Sequence, residues 1–98
     1  MEIVVKHEIE LVFELKGRLD TQTSVELDKS FKEQTINEHV VVLDFKELEY
    51  ISSAGLRVIL AIKKSLDSMS KTLEIHNIND VVREVFTVTG FINVLNIK

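Results

Sequence analysis

Two adjoining stretches, Val40-Val41-Val42-Leu43-Asp44-Phe45 and Tyr50-Ile51-Ser52-Ser53-Ala54-Gly55-Leu56-Arg57, decide the fold. The first is a continuous β-branched and apolar run, the pattern of a strand buried on both faces and therefore central in a parallel or mixed sheet. The second passes from an apolar edge to two hydroxyls and two small residues, the composition of a helix start with Ser52 or Ser53 as N-cap. From there a helix is predicted through about Ser68. It carries Leu56, Ile59, Leu60, Ile62 and Leu66 inward and Arg57, Lys63, Lys64 and Asp67 outward.

Upstream, Met1 to Glu8 holds Ile3, Val4 and Val5, and Ile9 to Lys16 alternates Ile9, Leu11, Phe13 and Leu15 with Glu10, Glu14 and Lys16. Period-2 alternation marks half-buried strands, so an N-terminal hairpin is expected with its turn near His7 and Glu8. After Gly17, Arg18 to Gln22 reads as a loop. Thr23 and Glu26 have capping-box spacing, predicting a helix over about Ser24 to Thr35 with Leu27 and Phe31 on its inner face. Downstream, Thr72 to His76 reads as a short strand. Between Asp80 and Thr89 the valines and threonines favour a strand, while their spacing and the closing Gly90 favour a helix; a helix capped by Asn79 is the reading chosen. Ile92 to Ile97 closes the chain as a last strand or a helix-like tail. The resulting order is that of a single α/β domain over 1–98, with a mixed central β-sheet, an N-terminal hairpin and helices packed on it.

Composition narrows the function classes. Ninety-eight residues suit one core, and a chain of this size buries roughly two thirds of its unfolded-state surface. The longest apolar run, Val58 to Ile62, is far short of the roughly 20 residues that cross a bilayer, and no signal-peptide pattern follows Met1, so a cytosolic protein is expected. There is no cysteine, hence no disulfide framework or thiolate chemistry. A net charge of −4 with no basic cluster denser than Lys63-Lys64 argues against nucleic acid.

No catalytic constellation emerges. His7, His39 and His76 are far apart and lack the i, i+4 spacing of a helical metal pair, so no metal or cofactor is expected. Ser53 is not in the G-x-S-x-G setting of a hydrolase nucleophile, and Gly55 has no phosphate-cradle neighbours. Asp20 and Asp44 read first as turn or cap residues. A small enzyme using Ser53 and Asp20 is the rival from another class. For Tyr50 to Arg57 the bland reading is a serine cap that stabilises by about 1 kcal/mol. The functional reading is a low-relief patch around a hydroxyl, where a phosphate would sit at the positive end of a helix, add roughly −1.5 to −2 charges and repel a bound partner.

With Gly17-Arg18-Leu19-Asp20, the Leu43-Asp44-Phe45 to Leu56 stretch, and Val82 to Phe86 followed by Thr89-Gly90-Phe91, the chain resembles the bacterial anti-sigma factor antagonists of the STAS family over nearly its whole length. The resemblance implies a protein that, dephosphorylated, binds an anti-sigma factor serine kinase and so frees a sigma factor. Phosphorylation ends the complex and a serine phosphatase resets it. It implies that Ser53 is the acceptor, with Ser52 competing, and that Asp20, Thr21, Ser52, Ala54, Gly55, Leu56 and Arg57 lie on the contact surface of a monomer. The family's aspartate before the acceptor is Ser52 here, and the hydroxyl common after it is Ala54. The rival within the binding class is a STAS subunit of a stress-signalling or lipid-transport complex in which Ser53 is not modified.

Overall fold

A computed structural model describes residues 1–98. The chain forms strands β1 (Glu2–His7) and β2 (Leu11–Leu19), helix α1 (Thr23–Lys32), strand β3 (Val40–Ile51), helix α2 (Ser53–Ser68), strand β4 (Thr72–His76), helix α3 (Asp80–Thr89), a 3₁₀ turn (Phe91–Asn93) and strand β5 (Asn96–Ile97). The five strands lie side by side in chain order. β1 runs antiparallel to β2, and every later pairing is parallel.

Strand alternation decides which face is covered. Phe13 pairs with Leu43 and Leu43 with Ile75, so the inward residues of β2, β3 and β4 form continuous rows. Leu11, Leu15, Val41, Phe45 and Leu73 lie in the same core, against Leu27 and Phe31 of α1, Leu56, Ile59, Ile62 and Leu66 of α2, and Val82 and Phe86 of α3. Parallel connections of one hand along a chain-order sheet place every helix on one side, giving two layers. The opposite face carries Glu14, Lys16, Asp44, Glu74 and His76 and stays open. β3 lies mid-sheet as its sequence predicts, but the expected burial on both faces holds only at Val42, flanked there by Val12 and Glu74, because helices cover one side of the sheet alone.

α3 resolves the conflict between propensity and spacing. Val82 and Phe86, four residues apart, are fully buried, whereas Val81 and Val88 point outward at 56% and 75% exposure. Asn79 Oδ1 accepts the Val82 N–H at 2.8 Å, and Gly90 ends the helix at φ +81°. The tail adopts both expected forms in turn, a 3₁₀ turn and then a short strand.

Four local expectations are corrected. Ile9 is not the first inward residue of β2 but the tip of the hairpin, 95% exposed. Arg18 and Leu19 are strand rather than loop, because β3 continues to Ile51 and offers these residues a partner. The β2–β3 register shifts twice, between Glu14 and Lys16 and between Gly17 and Arg18, and Gly17, at φ +105°, lies at the second shift. The Thr23–Glu26 capping box does not form, since Thr23 Oγ1 turns back to donate to the Arg18 carbonyl at 2.6 Å. α1 ends at Lys32, not Thr35.

Candidate functional site

β2 and β3 end side by side, Leu19 opposite Ile51, so the β2–α1 loop and the start of α2 emerge together. The Ser52 N–H donates to the Leu19 carbonyl at 2.9 Å and ties the two exits. Ser52 is extended (φ −98°, ψ 174°), and its Oγ accepts the Gly55 N–H at 3.3 Å. Ser52 is therefore the N-cap, which the sequence left open between two serines. Ser53 becomes the first helical residue, exposed, with its hydroxyl free of the cap.

Gly55 explains how closely the helix seats. A Cβ at this position would lie 2.8 Å from Leu19 Cγ, 2.9 Å from Ile51 Cγ1 and 3.0 Å from the Leu19 carbonyl oxygen. Only a residue without a side chain lets α2 start against both strand ends. Its neighbour Leu56 is 4% exposed and belongs to the core. Leu56 and the likewise buried Gly55 are thus withdrawn from the expected contact surface, because both pack against the strand ends below them. Ala54 is half-buried, and Arg57 is exposed on the next turn.

Across the tie, Asp20 organises its own loop. Its Oδ1 accepts the Gln22 and Thr23 N–H groups, each at 3.0 Å, and its own N–H donates to Thr23 Oγ1 at 2.8 Å. The Thr23 N–H above all, with the Thr23 hydroxyl, the Gln22 N–H and the nearby Arg18 charge, holds the Asp20 carboxyl below the usual carboxylate range. Asp20 thereby satisfies the Thr23 N–H, the donor that the Glu26 carboxylate of the expected capping box was to satisfy. Thr21 is exposed at the loop's crest. Sequence reading passed over Arg18, whose guanidinium lies 4.4 Å above the Tyr50 ring. The extended β2–β3 pairing creates that contact by setting Arg18 opposite Tyr50.

No pocket opens at the patch. Three shallow concavities of about 160, 370 and 270 Å³ all lie elsewhere, on the open sheet face, between β1 and α1, and between α1 and α2. No group of three metal-ligating side chains converges anywhere. His7 and His76 are engaged with Gln34, Glu38 and Glu74, and His39 is exposed. No helix is long and apolar enough to cross a membrane.

The fold is a one-sided α/β sandwich in which an exposed serine opens a helix beside a loop organised by Asp20. The chain belongs to the STAS domain family, whose model matches residues 1–98. It is 38% identical over 77 residues to a protein of Bordetella bronchiseptica named as an anti-sigma factor antagonist, BtrV, covering 79% of this chain and 60% of that one. The match thus spans less than two thirds of that relative's length. A crystal structure from Thermotoga maritima, described as an anti-sigma factor antagonist, superposes with a TM-score of 0.86 at 22% identity, covering 97% of this chain and 84% of the other. The Bacillus cell-fate determinant SpoIIAA in its phosphorylated form superposes at 0.73 and 16% identity, over 99% and 91% of the two chains. These two likenesses establish the fold.

Proposed function

We propose that the protein is a cytosolic anti-sigma factor antagonist that, dephosphorylated and as a single copy in the complex, binds an anti-sigma factor serine kinase and so frees a sigma factor. It acts by binding and performs no catalysis of its own. Phosphorylation of Ser53 ends the complex, and a serine phosphatase restores it. The observation that carries this reading is the division of labour at the start of α2: Ser52 holds the cap while Ser53 is exposed beside it. A phosphate on Ser53 costs the fold no capping bond and meets the positive end of the helix. At a contact surface it brings roughly −1.5 to −2 charges next to Asp20, and each ~1.4 kcal/mol of the resulting repulsion and desolvation weakens binding tenfold. The contact surface is formed by Asp20, Thr21, Ser52, Ser53, Ala54 and Arg57.

Ser52 replaces the family's aspartate without loss of the cap, since serine and aspartate serve comparably there. What it lacks is charge, which leaves Asp20 as the sole carboxylate in Leu19–Thr23 and Ile51–Arg57. That substitution is the one observation favouring a second reading, a STAS subunit of a stress-signalling or lipid-transport complex whose contact is not phospho-switched.

The test is intact mass and peptide mapping after incubation with ATP and a candidate anti-sigma kinase. One phosphate on Ser53, retained in Ser52→Ala, abolished in Ser53→Ala and accompanied by loss of the complex, is expected. A phosphate on Ser52 would move the switch by one residue. A stable complex that never acquires phosphate would refute the switch and favour the second reading.

A further inference from the structure

We infer that the outer edge of β1 is a self-complementary surface on which a second copy of this chain docks antiparallel, making one continuous sheet across a two-fold axis. β1 lies at the edge of the sheet, its six residues paired with β2 on one side only and without irregularity. It has no proline and no bulge, two of the devices that blunt an exposed edge.

Its charges favour one register. Glu2, Val4 and Lys6 pair with Lys16, Glu14 and Val12 and so face the open side of the sheet, while Ile3 and Val5 pair with Leu15 and Phe13 and face the helices. Antiparallel pairing centred on Val4 sets Glu2 opposite Lys6 of the second copy at both ends, Ile3 opposite Val5, and Val4 against itself. Parallel pairing sets Glu2 against Glu2 and Lys6 against Lys6. Centring on Val5 sets Glu2 against Glu8, and centring on Ile3 leaves Lys6 without a carboxylate. Only the Val4-centred register satisfies both charges, which also continue existing ladders: Glu2 already lies 3.7 Å from Lys16, and Lys6 3.0 Å from Glu14.

The helix side supplies matching relief. A groove of about 370 Å³ runs beside the edge, lined by Met1, Ile3, the α1 residues Glu26, Lys29 and Ser30, and Glu33 at the C-cap of α1. In the Val4-centred register Val5 of the second copy stands opposite Ile3 at the mouth of this groove. It would cover Met1, Ile3 and Val5, which pack on the core only in part. A single-strand interface of this kind is small, so the association is reversible and concentration-dependent.

Sedimentation velocity over a dilution series of the whole chain tests this. The parent should self-associate, and Glu2→Lys and Lys6→Glu, both at exposed side chains (63% and 48%), should each weaken the dimer about tenfold. Their equimolar mixture should recover it, because at both ends of the mixed pair a lysine of one variant then faces a glutamate of the other. Val4→Cys, the sole thiol in a chain without cysteine, should cross-link under mild oxidation far faster than Ile9→Cys at the 95% exposed hairpin tip. A parent that stays monomeric at the highest concentration, a mixture no tighter than either variant alone, or equal cross-linking rates would each overturn the inference. Circular dichroism of each variant separates these outcomes from unfolding.

Discussion

Replacing Gly55 by alanine adds one carbon atom where the structure has no room for it. The new Cβ would fall 2.8 Å from Leu19 Cγ, 2.9 Å from Ile51 Cγ1 and 3.0 Å from the Leu19 carbonyl oxygen. The two side-chain contacts can relax only within a fully packed core, since Leu19 and Ile51 are 0% and 1% exposed. The third is to backbone, and that same oxygen accepts the Ser52 N–H at 2.9 Å, so relief there loosens the tie between the two loops. Overpacking of this kind costs typically about 1–3 kcal/mol, and alanine's better helix propensity offsets roughly 0.5–1 of it. A net loss of about 1–2 kcal/mol corresponds to a melting temperature lowered by roughly 5–12 °C in a domain of this size. Differential scanning calorimetry of Gly55→Ala beside Gly90→Ala checks the cause. Gly90 has nothing within 4 Å and is required only for its φ of +81°, so Gly90→Asn should recover most of that loss while Gly55→Asn should be worse than Gly55→Ala. A Gly55→Ala protein as stable as the parent would refute the claim that close approach is what this glycine serves.

Ser52→Ala should lose about 1 kcal/mol as a broken N-cap, whereas Ser53→Ala should stay within ~0.5 kcal/mol of the parent in urea unfolding; equal losses would mean that the cap is shared. Asp20→Asn should lower stability near neutral pH and leave the parent's advantage shrinking as the medium is acidified, because the parent's depressed carboxyl contributes above its unfolded pKa and is lost as pH falls through the folded one; parallel pH profiles would contradict this. His7 is raised by its bond to Gln34 and then by Glu38, which lies 2.7 Å from Nδ1. Its contribution is therefore full below the unfolded histidine pKa of about 6.5 and disappears as pH rises through the higher folded value, so His7→Gln should lose more stability at mildly acidic than at alkaline pH. An NMR titration placing His7 at or below the ordinary value would remove the basis of that expectation.

The elements legible in the sequence were those whose own residues carry the signal. Val40 to Phe45 announces a buried strand without help, and the four-residue spacing of Val82 and Phe86 outweighs β-branched propensity in α3. What escaped depends on a partner distant in sequence. Nothing in Gly17-Arg18-Leu19 reads as strand until β3 is known to run on to Ile51 beside it, and with that pairing the Arg18–Tyr50 contact was hidden as well. Thr23 and Glu26 have capping-box spacing, but Asp20, three residues before Thr23, takes the Thr23 N–H, and the Thr23 hydroxyl turns back to the Arg18 carbonyl. At the candidate site the serine pair and Asp20 stand out by type. The assignment of cap to Ser52 and exposure to Ser53 needed backbone angles, and the withdrawal of Leu56 into the core needed the strand ends beneath it.

Strand order that repeats chain order has a consequence for how the molecule is made. Each strand after the first adds to the neighbour synthesised just before it, so a nascent chain leaving the ribosome finds its next docking edge already built, and no strand waits for a later one to separate it from its partner. The sequence contains no proline, which removes the slow isomerisation that delays many refolding reactions. Refolding from denaturant should therefore lack a phase of tens of seconds, and the growing edge ends at β5, a strand of two residues that closes the sheet last.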